Sequence, residues 1–191
     1  MKLGVAVSGK GSNLRNLVDL GFDVVAVATN RPSCGGAAFA RQRRIPVGEL
    51  SLKRFASEEA RDAAMRDFFR SHDVELVVDA GYDRIHTRPF LEGYRGRIIN
   101  VHPSLLPEFG GSMDAVEQAL RSGVPVTGAT VHLVTEDLDA GPILAQEAVE
   151  VRDNDTVESL RRRVHEAEHR ILPRAIRTLE ARLAESPAVG Q

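Results

Sequence analysis

The chain has 191 residues, 42% of them apolar and 27% charged, and a formal net charge of −2. That length and balance suit one globular domain and exclude a strongly basic nucleic-acid binder or a binder of anionic membranes, while a lone cysteine, Cys34, excludes an intrachain disulfide and a cysteine-rich zinc site. No window approaches the roughly 20 apolar residues of a membrane span, and the apolar run after Met1-Lys2 is too short for a signal-peptide core, so a cytoplasmic protein with no nucleic-acid or membrane partner is expected.

Residues 3–7 are a short apolar run and predict a buried strand. The run breaks at Ser8-Gly9-Lys10-Gly11-Ser12-Asn13, and apolar residues at helical spacing follow, Leu14, Leu17 and Val18. A strand, a glycine turn and a helix start direct free backbone N–H groups and the helix dipole at one spot, which suits an anion. A dinucleotide fingerprint needs a third glycine where Leu14 stands, and an acid after a second strand that ends Ala28-Thr29-Asn30. A Walker loop needs Gly-Lys-Ser, where the order is Lys10-Gly11-Ser12. The turn is therefore read as a monophosphate cradle.

Residues 22–28 predict a second strand, 30–36 a turn and 37–44 a short helix ending in basic residues. Ile45-Pro46-Val47 reads as an edge strand, because proline donates nothing to a ladder. A charged helix over 57–71 is expected to bury Ala60, Ala63, Ala64, Phe68 and Phe69. Residues 75–79 predict the next strand, with Ala80-Gly81-Tyr82-Asp83-Arg84-Ile85-His86 at its carboxyl end and a helical turn over 89–94.

Ile98 and Ile99 read as a buried strand from which two polar residues emerge. Asn100 and His102 stand two apart, so an extended chain puts both on one face. Pro103 then stops the ladder. In an open parallel sheet that carboxyl end is where ligands bind. An amide donor beside an imidazole that titrates near neutrality can polarise a carbonyl and hold the oxyanion formed when it is attacked.

A loop over 108–112 precedes a helix over 114–122 that ends at Gly123. Residues 124–134 are extended. His132 within them is read as a supporting residue rather than a metal ligand, since no second ligand stands at suitable spacing, and no metal is expected. The long loop from Thr135 to Pro142 carries Glu136 and Asp137, read as solvated, and Asp139; a strand over 143–149 completes the hairpin. Asp155 and Glu158 suggest a capping box for a last helix that buries Leu160, Val164, Ala167 and Ile171, borders its buried face with Glu168, and runs to about residue 183. Residues 1–184 are taken as one domain and 185–191 as a flexible tail. The alternation of strands and helices predicts an α/β fold of three layers, a mostly parallel twisted sheet with helices on both faces and a Rossmann-like N-terminal half.

The string Asn100-Val101-His102-Pro103-Ser104-Leu105-Leu106-Pro107 resembles the signature of the formyltransferases that use 10-formyltetrahydrofolate. Ser8-Gly9-x-Gly11-Ser12-Asn13-Leu14 is similar to that family's phosphate loop, His132-x-Val134 through Asp139-x-Gly141 to its catalytic aspartate motif, and Glu168-His169 with Pro173 to its last helix. The resemblance implies formyl transfer from 10-formyltetrahydrofolate to the amine of glycinamide ribonucleotide in purine biosynthesis, by a monomer or homodimer. It implies Asn100, His102 and Asp139 as catalytic residues, Gly11, Ser12, Asn13, Pro103 and Glu168 against the ribonucleotide, and Asp83, Arg84, Ile85, His86, Leu91 and Ile98 against the folate. Asp79, Asp83 and His86 depart from the family pattern, which is apolar there, and Glu58 stands where an arginine is usual. A different amine acceptor, a hydrolase of the formyl folate, or a non-catalytic ribonucleotide-binding protein are the alternatives.

Overall fold

The computed structural model describes residues 1–112 and 114–185. In chain order the elements are β1 (Leu3–Val7), α1 (Ser12–Asp19), β2 (Val24–Thr29), α2 (Gly35–Gln42), β3 (Val47–Glu49), α3 (Glu58–Ser71), β4 (Leu76–Asp79), α4 (Arg88–Gly93), β5 (Ile98–His102), α5 (Ala115–Ser122), β6 (Val126–Leu133), β7 (Ile143–Glu150) and α6 (Val157–Glu185). Seven strands form one sheet in the order β3-β2-β1-β4-β5-β6-β7. The first five run parallel, and β6 and β7 are antiparallel additions. The chain winds from β1 out to β3 and then resumes on the other side with β4, so a topological switch point lies between β1 and β4. A crevice opens outside the carboxyl ends of strands at such a point.

The central strands β1, β4 and β5 are buried on both faces because helices cover both, whereas β7 at the edge is largely exposed. Leu14, Leu17, Phe39, Val116, Leu160, Val164 and Ile171 pack one apolar cluster under α1, α2, α5 and α6. Met65, Phe69, Phe90 and Tyr94 form the other under α3 and α4. Period-two alternation divides β5 between them: Ile99 and Val101 face the first cluster and Ile98 the second. Asn100 and His102 share the face of Ile98.

Three expectations are corrected. The buried stripe of α3 is Arg61, Asp62, Met65 and Phe69, whereas Ala60 is exposed and Ala63 and Ala64 are only half-buried. Arg61 and Asp62 satisfy one another there, which permits two charges on an inner face. The edge strand begins at Val47, after Pro46 rather than through it. At the start of α6 the reciprocal capping bonds run between Thr156 and Ser159, while Asp155 pairs with Arg163. As expected of a last helix running to about residue 183, α6 continues through Pro173 to Glu185. Residues 186–191 of the expected tail lie outside the described residues. Among the described residues, no helix is long and apolar enough to cross a membrane.

Candidate active site

Two adjoining cavities open at the carboxyl ends of β1, β4 and β5, and Gly81, Val101 and Pro103 line both. The first encloses about 280 Å³ and is built on the glycine turn. Gly11 precedes α1 with φ of 73°, a left-handed conformation that favours glycine. A Cβ on Gly11 would also lie 2.6 Å from the Cα of Gly36, so the turn packs directly on α2. The N–H groups of Ser12, Asn13 and Leu14, at the start of α1, have no earlier helical carbonyl to bond.

Lys10 and Arg161 supply positive charge at the wall of this cavity, and His165 stands beside them. Burial pushes the His165 pKa down, and the nearby His169, Arg161 and Lys10 push it further. Glu168 enters from α6, only 5% exposed, and accepts a 2.8 Å hydrogen bond from Asn13 Nδ2. Burial raises its carboxyl to about 7, although the Asn13 bond acts the other way. Asn13 Oδ1 is buried without a partner. A carboxyl kept so costly, beside an unused acceptor, is arranged to receive hydroxyl donors.

The second cavity, about 380 Å³, holds the polar pair of β5. The antiparallel register places His132 opposite Asn100, and the parallel register places Asp79 on its other side. Asn100 Nδ2 lies 3.1 Å from His132 Nε2 and 3.4 Å from Asp139 Oδ1. Asp139 Oδ2 is 3.4 Å from His102 Nδ1, and Asp139 Oδ1 is 3.3 Å from His132 Nε2. The Gly111 N–H donates to Asp139 Oδ2 at 2.8 Å. Asp139 adopts a left-handed φ of 51°, which turns its carboxylate back from the long β6–β7 loop onto β5.

Burial would raise the Asp139 carboxyl, but hydrogen bonds from His132 and Gly111, with the charges of both histidines, hold it at about 2. It is therefore ionised throughout the neutral range. His102 faces an acceptor at each nitrogen, Asp139 Oδ2 at Nδ1 and the Phe109 carbonyl 3.1 Å from Nε2. Only a doubly protonated ring satisfies both. Burial nevertheless outweighs those acceptors and holds the His102 pKa below its ordinary value, so the unliganded ring is mainly neutral at pH 7. The site is thus built to receive a proton on His102 when a neighbouring group becomes negative.

The expected site residues divide as follows. Gly11, Ser12, Asn13 and Glu168 line the first cavity, Asn100, His102 and Asp139 the second, and Pro103 both. Asp83, Arg84, Ile85 and His86 form one wall of the second cavity. Ile85, 63% exposed, and Leu138, 53% exposed, are apolar side chains on its walls, which fits a flat heterocycle better than an ion. Leu91 and Ile98 do not line it: Ile98 is one strand step deeper in the core and Leu91 packs on the same cluster. Glu58 stays half-exposed on α3, near Arg61.

The acids that depart from the family pattern are paired. Asp79 bonds His86 Nε2 at 2.9 Å, and Asp83 accepts from Asn30 and pairs with Arg31. Sequence reading did not find Lys10, Arg161 or His165 as cavity residues, nor the Arg61–Asp62 pair; a helix position four residues before His165 was the only hint that Arg161 shares its face. Among the described residues, no group of three or more histidines, cysteines or acids is placed to hold a metal ion.

The family described as formyl transferase matches residues 1–176. Phosphoribosylglycinamide formyltransferase of Bacillus subtilis is 40% identical over 184 residues, which cover 93% of this chain and 94% of that one. The trifunctional purine biosynthetic protein adenosine-3 of Chironomus tentans is 41% identical over 92% of this chain, which spans only 13% of that longer protein. The crystal structure of phosphoribosylglycinamide formyltransferase from Bacillus halodurans superposes with a TM-score of 0.89 at 36% identity, covering 94% of this chain and 95% of that one.

Proposed function

This chain belongs to the formyl transferase family, and on that premise we propose that it transfers the formyl group of 10-formyltetrahydrofolate to the amine of glycinamide ribonucleotide, a step of purine biosynthesis. The observation that carries the reading is the convergence of Asn100, His102 and His132 on one ionised carboxylate, Asp139, at the junction of an anion-accepting cavity and a partly apolar one.

The ribonucleotide phosphate is assigned to Gly11, Ser12 and Asn13, with Lys10, Arg161 and His165 around it and Glu168 on the ribose. That orientation points the amine along Pro103 towards β5. The formyl folate supplies an electrophilic carbonyl carbon, and its ring is assigned to the wall of Arg84 and Ile85, with the ring of His86 buried behind that wall. A free α-amino group has a pKa of about 8, so a substantial fraction is neutral and nucleophilic near pH 8.

Asn100 and His102 are assigned to the carbonyl oxygen. As the amine attacks and that oxygen becomes negative, the His102 ring takes up the amine proton through water and Asp139 stabilises the resulting imidazolium; the proton is returned to the folate nitrogen as its bond to the formyl carbon breaks. A carboxylate with a pKa of about 2 is a poor proton store. Asp139 therefore orients and balances charge, while His102 holds the proton in transit. To bond the substrate oxygen, His102 Nε2 must exchange the Phe109 carbonyl for it. Holding both reactants in adjoining cavities supplies the proximity term. We further read the protein as cytoplasmic and as one domain through residue 184, acting on small molecules as a monomer or homodimer.

The test is folate absorbance with purified protein and 10-formyltetrahydrofolate, with and without glycinamide ribonucleotide. Turnover that requires the ribonucleotide supports the reading. Turnover without it indicates a hydrolase, and none in either case indicates a binding protein.

A further inference from the structure

Residues 80–87 connect β4 to α4; backbone hydrogen bonds hold the two ends, Ala80 to Ala6 and Ser8 to Gly81 beside the sheet and Leu91 to Thr87 at the start of α4, while residues 82–86 between them belong to no strand or helix. Such a segment must be positioned by other contacts. Side chains make many of them. Asp62 accepts from the Thr87 N–H at 2.5 Å and from Thr87 Oγ1 at 2.9 Å. Arg61 Nη2 reaches the Ile85 carbonyl at 3.4 Å while it pairs with Asp62. Ser8 Oγ accepts from the Asp83 N–H at 3.0 Å. In the middle, His86 Nε2 lies 2.9 and 3.0 Å from the two oxygens of Asp79, on β4 itself. The His86 ring is stacked between Tyr82 and Phe90, with centroids 5.3 and 4.3 Å away. Asp79 and His86 stand where the family pattern is apolar.

We propose that the Asp79–His86 ion pair is the positioning element of the folate-binding wall in this chain, so that folate affinity, rather than the rate of the chemical step, depends on it. This rests on the assignment of Arg84 and Ile85 to the folate. The pair ties the loop to a core strand from within, and the ring it fixes is the packing surface for Tyr82. Neither residue reaches the reacting atoms, so both are positioning residues.

The pair also makes the wall sensitive to pH. The groups facing His86 are Asp79 on β4, Asp62 and Arg61 on α3, and Tyr82 and Phe90 by stacking. Burial opposes the charged ring, and Arg61 does so weakly, but Asp79 and Asp62 more than compensate, so the pKa lies above the ordinary value. A group raised in this way contributes fully below its unfolded pKa, and the contribution is lost as pH rises through the folded value. The wall should loosen on the alkaline side.

The test measures binding of tetrahydrofolate, the folate product, by calorimetry from about pH 6 to about pH 9.5, together with steady-state kinetics. Asp79→Leu or His86→Leu alone strands a buried charged or polar partner. Each is expected to weaken tetrahydrofolate binding at least about tenfold at pH 7, with kcat at saturating folate and the ribonucleotide KM within about threefold of wild type. Asp79→Leu with His86→Leu replaces the pair by apolar packing and is expected to recover affinity to within about threefold, without the alkaline loss seen in wild type. The idea is overturned if the single variants bind tetrahydrofolate like wild type, if the double variant is no better than either, or if wild-type affinity is flat with pH. Pair-dependent tetrahydrofolate binding without ribonucleotide-dependent turnover would sustain the positioning role and remove the assigned acceptor. Turnover with pair-independent binding would do the reverse.

Discussion

Replacing Glu168 with Gln separates the cost of a buried carboxyl from its use. Its pKa is raised from 4.5 to about 7, burial being the cause. The unfolded chain therefore ionises first as pH rises. The folded state bears no penalty below 4.5 and the whole penalty above about 7. At about 1.4 kcal/mol per pH unit, that gap amounts to about 3 kcal/mol. The substituted amide would keep an acceptor for Asn13 Nδ2 and add a donor for Asn13 Oδ1, which has no partner. Glu168→Gln should therefore stabilise the ligand-free protein near pH 8 by about 3 kcal/mol, or roughly 6–12 °C in Tm for a chain of this size. The gain should vanish near pH 4.5. Ribonucleotide KM should rise about tenfold or more, since a charged acceptor for hydroxyls is lost. Thermal melts at the two pH values, with KM measured beside them, decide the matter. A variant that melts no higher near pH 8, or equally higher at both pH values, refutes the reasoning.

Three other outcomes are expected. Gly11→Ala puts a Cβ against Gly36 in a left-handed turn, so stability should fall by about 1–3 kcal/mol in urea unfolding and calorimetric ribonucleotide binding should be largely lost. Arg61→Met leaves the buried Asp62 without its cation, with an expected cost of about 3–5 kcal/mol in the same unfolding assay; a cost under about 1 kcal/mol contradicts a structural pair. Arg161→Ala should raise ribonucleotide KM about tenfold while leaving kcat unchanged, and should flatten the dependence of KM on salt.

The strands and their carboxyl ends were legible because buried parallel strands are uninterrupted apolar runs, as at Leu76-Val77-Val78. Asn100 and His102 were legible because period-two alternation needs no partner to be read. Asp139 was reached through resemblance, since nothing local shows that a loop acid folds back onto a strand 39 residues earlier. The buried face of α3 was misread because two adjacent charges at helical spacing look solvated until their mutual pairing is seen. The same holds for Asp79 and His86: each looks like a costly intrusion alone, and the contact between them cannot be inferred from an irregular loop. Arg161 and His165 share a helix face, but only the packing of α6 against the glycine turn gives that face a purpose.

The most direct measurement follows a labelled formyl carbon from 10-formyltetrahydrofolate in the wild-type protein, Asn100→Ala and His102→Ala, with ribonucleotide binding checked by calorimetry. The account predicts label on the ribonucleotide amine in the wild type, and a loss on the order of 10²-fold or more in each variant while the ribonucleotide still binds. Label released as formate, or undiminished transfer without His102, would contradict it.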